Sequence, residues 1–528
     1  MKRRMFLKTT AAALATGAAV PLRAEEGTRP NILVIISDDQ GKQWVSPYKD
    51  GPKTPHLRKL AEAGVVHHRA YTNSALCVPT RYCCLTGNYA SRCTYKWFSP
   101  LGKNSFFGNG TFFKDDEKTV PLALREAGYY TGIAGKWHNS GGHALKANAI
   151  PADADIRDPA VIAKLKQNQS HLAADLRKWG FDYAGSLYSG NLSNYGAEAL
   201  QHHNMEYIAK GALSFLDQAP EDTPFYLWMA LTQGHGPRER IEAGDIHATP
   251  AGYSTDHLDV VEKGYMPPRK EIVRQMGKGA MAQTMAWVDA GVGAVLKKLA
   301  ETGRAENTLV IYLSDQGNGG KSTNYESGTC ISFIARWPGV IQPNTQSHAL
   351  IDTVDMAATF MDVGKAKDLP GMNQDGQSIV PIWQGEREAN KTAIFTESGY
   401  SRAVATAEWK YHAIRYPQWA IDMERRRRKD PAWLPPVTGP MSVASKQLWR
   451  KISPSGQNRA NVGICDLDQL YNLKDDPAEK TNLADRPEYA AKLAEMKRTL
   501  AAHIKRTGRS FGEFHQAKTP APPARTKR

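Results

Sequence analysis

Continuous apolar runs of strand length recur along the chain and alternate with stretches of helical periodicity. Such runs occupy Asn31–Ser37 (NILVIIS), 225–231 (FYLWMAL) and 309–313 (LVIYL), and a shorter strand is expected at 130–134. Runs without polar alternation are typical of strands that are buried on both faces. Strands that alternate with helices predict an α/β fold with a large, mostly parallel, doubly wound sheet flanked by helices.

Capping residues mark the boundaries of the predicted helices. Thr54 and Pro55 occupy the N-cap and first-turn positions of a helix that Gly64 ends. Its inward face is predicted to consist of Leu57, Leu60 and Ala61. Thr119 is the predicted N-cap of a second helix, and longer helices are predicted at 206–218 and 280–302.

The pattern changes after about residue 395. Antiparallel strands are predicted at 409–415 and 469–473, and Pro487 begins a terminal amphipathic helix. The apolar stripe of that helix is Tyr489, Leu493, Met496, Leu500 and Ile504. The predicted division is a catalytic domain over 25–395, a smaller C-terminal α+β domain with an antiparallel sheet over 396–510, and a disordered tail over 511–528.

The first 24 residues have the features of an export signal rather than of a folded segment. Arg3 and Arg4 open a twin-arginine motif, and a weakly apolar stretch at 9–20 precedes a cleavage position after Ala24. That stretch is too short to cross a bilayer, which takes about 20 residues as a helix. We predict a signal peptide over 1–24, bacterial export by the twin-arginine (Tat) machinery after folding, and a periplasmic or secreted protein without stable membrane insertion.

The charge and the cysteines exclude several classes of function. The chain of 528 residues has ordinary globular composition and a formal net charge of +15. Five of these units lie in the predicted signal peptide, and four basic residues lie in the last twelve residues of the chain. The other basic residues are scattered, except for the run at 425–429, which could attract a polyanionic glycan. No nucleic-acid-reading motif occurs, so we expect no nucleic-acid partner.

The six cysteines lack zinc-site spacing. The spacing leaves open whether a disulfide forms among Cys83, Cys84, Cys93, Cys330 and Cys465.

Acidic residues follow two of the predicted strands. The first strand ends in Asp38-Asp39-Gln40-Gly41, and the strand at 309–313 ends in Ser314-Asp315-Gln316-Gly317. In open α/β sheets the active site lies at the carboxyl ends of the strands. Converging carboxylates repel one another, and a hard divalent cation such as Ca²⁺ or Mg²⁺ would relieve that repulsion. The alternative is that these acidic residues only cap turns.

One short segment has a more specific pattern. Residues 77–87 (CVPTRYCCLTG) place a cysteine near a proline and an arginine, where a helix N-terminus would favour an anionic nucleophile or ligand. The alternative for a lone cysteine is a buried structural residue. The pattern C-x-P-x-R-x-x-x-x-T-G resembles the signature of the type I sulfatases, in which this cysteine is oxidised to formylglycine.

Further motifs of that family occur in order over about residues 29–510. These are D-D-x-G at 38–41, the T-P-x-L helix at 54–64, G-K-W-H at 135–138, S-D-x-G at 314–317, Y-E-x-G-T at 325–329, W-P-G at 337–339 and a closing block at 470–483. The resemblance implies the alkaline-phosphatase-like fold and a sulfuric ester hydrolase. Two departures are Gln316, where Asn or His is common, and Cys330, where Arg is common.

The resemblance also implies roles for individual residues. The implied ligands of one Ca²⁺, with Mg²⁺ as an alternative, are Asp38, Asp39, Asp315, Gln316 and the formylglycine made from Cys77. The hydrate of that formylglycine is the implied nucleophile, and Arg81 would steady it. The implied sulfate-binding and proton-transferring residues are Lys136, His138, His235 and Lys321. His138 would be the base, and His235 or Lys321 would protonate the leaving alcohol.

The implied substrate is a sulfated carbohydrate, either algal polysaccharide or glycosaminoglycan, and a formylglycine-generating maturation enzyme is an implied partner. A phosphonate or phosphate ester hydrolase of the same fold, or a non-catalytic polyanion-binding protein, remains an alternative. The segments 139–205, 236–272 and 415–465 match no motif and are expected to form the pocket rim, and Arg92 is expected to touch substrate. Solvated histidine pairs are expected at 67–68 and 202–203.

Overall fold

The computed structural model describes residues 29–50, 53–96, 98, 110–140, 149–237, 240–277, 279–415 and 466–514. The strands are β1 (Asn31–Ser37), β2 (Val65–His67), β3 (Ala70–Tyr71), β4 (Tyr130–Lys136), β5 (Tyr183–Tyr188), β6 (Phe225–Ala230), β7 (Ala248–Thr249), β8 (Gly252–Tyr253), β9 (Thr308–Ser314), β10 (Cys330–Ile331), β11 (Phe333–Arg336), β12 (Thr345–Ser347), β13 (Ile351–Asp352), β14 (Ile394–Ser398), β15 (Ser401–Ala405), β16 (Trp409–Ile414) and β17 (Asp468–Asn472). The α-helices are α1 (Pro55–Glu62), α2 (Cys77–Thr86), α3 (Val120–Glu126), α4 (Pro159–Lys178), α5 (Met205–Gln218), α6 (Asp259–Glu262), α7 (Arg269–Met276), α8 (Ala280–Glu301), α9 (Glu326–Thr329), α10 (Asp355–Val363), α11 (Val380–Trp383) and α12 (Ala490–Thr507).

An eight-stranded sheet forms the centre of the molecule, in the order β12-β2-β11-β9-β1-β6-β4-β5. The five strands from β9 to β5 are parallel, whereas β11 runs antiparallel to both β9 and β2. Alternate residues of β1 enter two different hydrophobic cores, since Leu33 and Ile35 belong to one and Ile32 and Val34 to the other. The sheet is therefore buried on both faces, which explains why its strands are continuous apolar runs. The predicted doubly wound α/β fold is confirmed.

A second, four-stranded sheet has the order β14-β15-β16-β17, and all its pairings are antiparallel. Helix α12 packs on it through Met496, Leu500 and Ile504, which are almost fully buried. The predicted antiparallel C-terminal sheet is confirmed. The tail was predicted to start at residue 511, but Phe511 is only 1% exposed and packs against this sheet, so residues 511–514 belong to the folded structure. Residues 515–528 lie outside the described residues.

The first helix begins where the sequence predicted, but its cap comes from elsewhere. Thr54 precedes Pro55 as expected, yet its hydroxyl bonds to Ser46 rather than to the helix. The free N–H groups of the first turn donate to Asp289 of α8, from His56 at 3.0 Å and from Leu57 at 2.8 Å. A buried carboxylate on another helix therefore replaces the local cap.

Two further expectations are wrong. The segment 139–205 is not only rim, because it contains α4 and the edge strand β5 of the main sheet. The pair at 67–68 is not solvated, because His67 is fully buried and accepts a hydrogen bond from Trp383 Nε1 at 3.0 Å. Within the described residues, no helix is both long and apolar enough to cross a membrane. The predicted signal peptide and the basic run at 425–429 lie outside those residues.

Candidate active site

Four adjacent parallel strands bring the predicted site residues to one edge of the main sheet. Strand β9 ends before Asp315, β1 ends before Asp38, β6 leads into the loop that carries His235, and β4 ends at Lys136. Because these strands are consecutive in the order β9-β1-β6-β4, their carboxyl ends meet. Residues distant in sequence are thus placed side by side.

Helix α2 supplies the remaining central residues. Cys77 is its first residue and is 5% exposed. Asp38, Cys77 and Asp315 each offer a ligand atom, and these three atoms lie within 4.8 Å of one another. Asp39 lies in the same place, and its backbone N–H donates to Asp315 Oδ1 at 2.9 Å. The carboxylates predicted to converge do converge, around the predicted cysteine.

Arg81 lies beneath this group of carboxylates and is fully buried. Its Nη2 donates to Asp315 Oδ2 at 3.2 Å and lies 3.6 Å from Asp38 Oδ2. Its Nη1 donates to the carbonyl of Lys136 at 3.0 Å. One turn of α2 separates Arg81 from Cys77, so the arginine reaches the carboxylates while Cys77 stands at the helix start.

Two lysines flank the carboxylates. The ammonium of Lys136 is buried and bonds to Asp38 Oδ2 and, at 2.6 Å, to Asn191 Oδ1. The ammonium of Lys321 lies 3.1 Å from Asp39 Oδ2. With Arg81 they provide three cations around the cysteine, so an anionic group that enters here meets a positive potential.

The charges at the site shift the pKa values of its groups in opposite directions. Burial alone would raise the pKa of Asp38, but the charges of Lys136, His235 and Arg81 hold it below its ordinary value. Burial and the neighbouring Asp38 charge raise the pKa of Asp315. Burial also raises the pKa of the Cys77 thiol, so the unmodified side chain is a poor nucleophile at neutral pH.

The donor set fits a hard divalent cation. Among the described residues, Asp38 Oδ1 and both polar atoms of the Gln316 side chain are buried without a hydrogen-bond partner. Buried polar atoms are rarely left in that state, because each costs about 1–3 kcal/mol. A cation bound to carboxylate and amide oxygens would satisfy Asp38 Oδ1 and Gln316 Oε1, and oxygen ligands favour Ca²⁺ or Mg²⁺.

The two predicted catalytic histidines are half-buried. Burial lowers the pKa of His138 well below its ordinary value and also lowers the pKa of His235. His203, which sequence reasoning set aside as a solvated residue, lies beneath His235 and bonds through Nε2 to the His235 carbonyl at 3.0 Å. The neutral imidazoles can therefore accept or share protons at the edge of the site.

The loop that carries Lys321 is held by its own neighbours. The N–H of Gly317 donates to Gly328 O at 2.9 Å, and the N–H of Gly320 donates to Ser327 O at 3.2 Å. A Cβ on Gly320 would stand 2.4 Å from the backbone nitrogen of Gly328, so the two segments pack without room for a side chain. The N–H of Ser322 donates to Ala75 O at 2.8 Å, which ties the loop to the segment before Cys77.

A buried ion cluster connects this loop to the four-stranded sheet. Lys410 of β16 is fully buried and lies 2.9 Å from Glu326 and 3.7 Å from Glu479. The carboxylate of Glu479 also accepts from the Glu326 backbone N–H and contacts His412 Nε2 at 2.9 Å. Since Glu326 directly precedes Ser327, the sheet braces the loop that positions Lys321.

Other sequence expectations have different outcomes. Arg92 forms a two-pronged pair with Asp375 (2.6 and 2.7 Å) and donates to the carbonyl of Arg506 at 2.7 Å, so its guanidinium joins structural elements and the predicted substrate contact is not supported. Trp137, within the G-K-W-H motif, packs on Trp179 at 5.3 Å between ring centres. The cysteines that the structure describes are free: Cys77, Cys83, Cys84, Cys93 and Cys330. Cys465 lies outside the described residues.

Comparisons with known proteins agree with this geometry. A family model described as Sulfatase matches residues 30–366. The chain is similar to an N-acetylgalactosamine-6-O-sulfatase of Bacteroides thetaiotaomicron, with 24% identity over 92% of this chain and 96% of that protein. It is 26% identical to an ulvan-active sulfatase of Formosa agariphila, over 89% of this chain and 74% of that protein.

Solved structures share the fold. One, determined in complex with its substrate D-glucosamine-2-N,6-O-disulfate, has a TM-score of 0.59 at 18% identity and covers 91% of this chain and 98% of its own. Another, in complex with k-i-k-neocarrahexaose, has a TM-score of 0.56 at 19% identity and covers 91% of this chain and 93% of its own. At this level of identity the likeness concerns the fold alone.

Proposed function

This chain belongs to the sulfatase family and is a sulfuric ester hydrolase, and from that premise we propose that it removes sulfate from a sulfated carbohydrate, using a formylglycine made from Cys77 and one bound Ca²⁺. The observation that carries the proposal is the grouping of Asp38, Cys77 and Asp315 within 4.8 Å, with Arg81, Lys136 and Lys321 around them. Carboxylates alone would repel a sulfate ester, and cations alone would not hold a metal. The site has both carboxylates and cationic side chains, in adjoining positions.

The proposed Ca²⁺ ligands are Asp38, Asp39, Asp315, Gln316 and the modified residue 77. When bound, the cation would supply positive charge that stabilises the negative charge of the transition state. The formylglycine hydrate would supply an oxygen nucleophile and a second hydroxyl that allows the aldehyde to be regenerated. Arg81 holds Asp38 and Asp315 in place beneath that residue, because it contacts both carboxylates.

Four residues beside the carboxylates would bind and orient the sulfate group. Lys136 and Lys321 carry the charges that would pair with its oxygens. His138, held neutral by burial, is suited to accept a proton. His235 or Lys321 would donate one to the leaving alcohol. Burial would lower the pKa of Lys321, but the nearby Cys77 and Asp39 hold it above its ordinary value, which favours a cationic Lys321 beside the sulfate.

A sulfated carbohydrate is the proposed substrate class because of what the similar proteins are and hold. Two of them are an N-acetylgalactosamine-6-O-sulfatase and an ulvan-active sulfatase, and the two solved structures are complexes with D-glucosamine-2-N,6-O-disulfate and k-i-k-neocarrahexaose. Algal polysaccharide and glycosaminoglycan both remain within the proposal. We also propose that residues 1–24 direct Tat export and that a maturation enzyme converts Cys77 in the cytoplasm, before the folded protein reaches the periplasm or the medium.

The decisive experiment is a desulfation screen on defined sulfated oligosaccharides, read by chromatography, with protein co-produced with a formylglycine-generating enzyme. Mass spectrometry of the Cys77 peptide establishes conversion independently of turnover. Cys77→Ala is the matched control and should release no sulfate. If fully converted protein desulfates no oligosaccharide but hydrolyses p-nitrophenyl phosphonate, the substrate proposal is wrong.

A further inference from the structure

Asn191 contacts one of the proposed sulfate-binding cations directly. Its Oδ1 accepts a hydrogen bond from Lys136 Nζ at 2.6 Å, and the same nitrogen bonds to Asp38 Oδ2. No motif of the sequence points to Asn191, which lies three residues after the end of β5. The contact is partly buried, so it is less exposed to competition from water than a surface contact would be.

The loop that carries Asn191 is fixed on both sides of that residue. The Ser189 carbonyl accepts from the His138 N–H at 3.1 Å, and the Ser189 N–H donates to the Tyr195 hydroxyl at 3.0 Å. Leu192, directly after Asn191, is 2% exposed and anchors the loop in the core. A Cβ on Gly190 would stand 3.1 Å from His138 Cδ2, so the loop lies against the proposed base. The position of Asn191 is therefore set by packing rather than by its contact with Lys136.

The Lys136 ammonium has two partners in this structure, the carboxylate of Asp38 and the amide oxygen of Asn191. An ammonium has three N–H donors, and Asp38 and Asn191 occupy two of them, which leaves one for an incoming oxygen. A neutral amide oxygen holds the ammonium without adding negative charge, whereas a second carboxylate in its place, beside Asp38, would add negative charge and repel an anion. The amide at this position therefore keeps the charge of Lys136 available to a ligand.

We propose that Asn191 is a positioning residue, which fixes the orientation of the Lys136 ammonium beside Asp38 so that its third donor faces the sulfate group. This inference rests on the proposed function in that Lys136 is taken to bind sulfate. It predicts a specific loss of sulfate affinity on substitution of Asn191, with the fold retained.

The test uses the matured, calcium-supplied enzyme and its Asn191→Leu and Asn191→Asp variants. Inorganic sulfate is the probe, and its dissociation constant is measured by calorimetry, together with kcat and KM for a sulfated oligosaccharide that the parent enzyme desulfates. We expect the affinity for sulfate to fall about tenfold or more in Asn191→Leu, as for the loss of one hydrogen bond to a charged group. The loss should be larger in Asn191→Asp, where repulsion is added.

Ser193→Asp is the matched control, because it adds the same charge two residues away on an exposed side chain of the same loop. It should leave the sulfate affinity within about twofold of the parent, since exposed charges are screened. Thermal unfolding of all variants should match the parent, which separates positioning from a loss of fold. If Asn191→Leu misfolds, the sulfate affinities of Asn191→Asp and Ser193→Asp are compared with each other, and this comparison alone tests the positioning role of Asn191.

Unchanged sulfate affinity in folded Asn191 variants would overturn the inference, as would an equal loss in Ser193→Asp. These results are distinct from failure of the proposed function. A parent enzyme that binds sulfate, loses that affinity on substitution of Asn191 and yet desulfates no carbohydrate would refute the substrate proposal only. Full turnover by the Asn191 variants, with parental sulfate affinity, would refute the positioning role only.

Discussion

Arg81 donates to Asp315 at 3.2 Å, and both side chains are completely buried. The same guanidinium lies 3.6 Å from Asp38, so a single fixed cation serves two carboxylates of the site. Both Arg81 and Lys136 contact Asp38 through Oδ2, and Asp38 Oδ1 is buried without a hydrogen-bond partner among the described residues, so a bound cation would complete the site.

Removal of the Arg81 charge should make folding depend on the metal. In Arg81→Met the carboxylates lose their fixed partner, and we expect the metal-free protein to lose about 3–5 kcal/mol of unfolding free energy. Added Ca²⁺ should then stabilise the variant more than the parent, as measured by urea unfolding with a chelator or with Ca²⁺. Arg269→Met breaks a buried pair with Glu206 elsewhere in the molecule and should show a loss that Ca²⁺ does not alter. If Ca²⁺ stabilised both variants equally, the proposal of a metal site at the carboxylates beside Arg81 would be contradicted.

Gln316 should matter for the metal and not for the fold. Both polar atoms of its side chain are buried without a partner among the described residues, so Gln316→Leu removes no hydrogen bond. We expect the unfolding free energy without metal to be unchanged or higher, and the Ca²⁺ affinity, measured by calorimetry, to fall about tenfold, as for one lost ligand. A parental Ca²⁺ affinity in this variant would remove Gln316 from the ligand set.

His67 should make the protein sensitive to acid. Burial lowers its pKa from 6.5 to about 3, so the folded protein keeps it neutral. Above pH 6.5 the folded and unfolded states both hold it neutral, and the stabilisation is complete. Between pH 6.5 and 3 only the unfolded state takes up the proton, so the free energy of unfolding falls by up to about 5 kcal/mol as the pH falls.

The variant His67→Gln keeps an acceptor for Trp383 but does not titrate. Its unfolding free energy, measured by urea titration at several pH values, should fall less steeply below pH 6.5 than that of the parent. The matched control is His171→Gln, which changes an exposed histidine and should keep the parental slope. The assignment fails if His67→Gln also keeps that slope.

Lys410 should affect activity although it lies in the other sheet. Lys410→Met leaves Glu326 and Glu479 without their cation, and we expect a loss of about 3 kcal/mol of stability. Because Glu326 adjoins the segment that braces the Lys321 loop, kcat/KM per folded molecule should also fall, by about tenfold if Lys321 loses one contact. Lys391→Met breaks a comparable buried contact with Asp352 and Asp355. That control should lose stability and keep its kcat/KM, and a Lys410 variant that behaves in the same way would disprove the coupling.

The carboxylates and the main sheet could be predicted because their signals are local. A buried parallel strand is an apolar run in the sequence, and active sites lie at the carboxyl ends of such strands. Asp38 and Asp315 could therefore be predicted as site residues because each directly follows such a run. The edge strand β5 is half-buried and mixed in composition (YAGSLY), and it gave no such run. Asn191, which follows it, was missed for that reason.

The ion cluster at Lys410 had no local signal. In the strand WKYHAI its position alternates with apolar residues, which is the pattern of an exposed side chain, yet Lys410 is fully buried. Its partners Glu326 and Glu479 lie 84 and 69 positions away in the sequence. Pairings at such distances depend on how the two sheets dock, which no periodicity encodes. The same holds for Asp289, which caps a helix formed more than 200 residues earlier.

The bracing of the Lys321 loop from the four-stranded sheet limits how such proteins can diverge. Ser398 donates to the Ser322 carbonyl at 2.8 Å, and Asn324 donates to Ser401 at 3.0 Å, in addition to the cluster at Lys410. A chimera that joined the first 395 residues to the C-terminal part of another family member would lose these contacts, which lie close to the proposed active site. New substrate preferences are therefore more easily acquired by exchange of rim segments than by recombination between the two sheets.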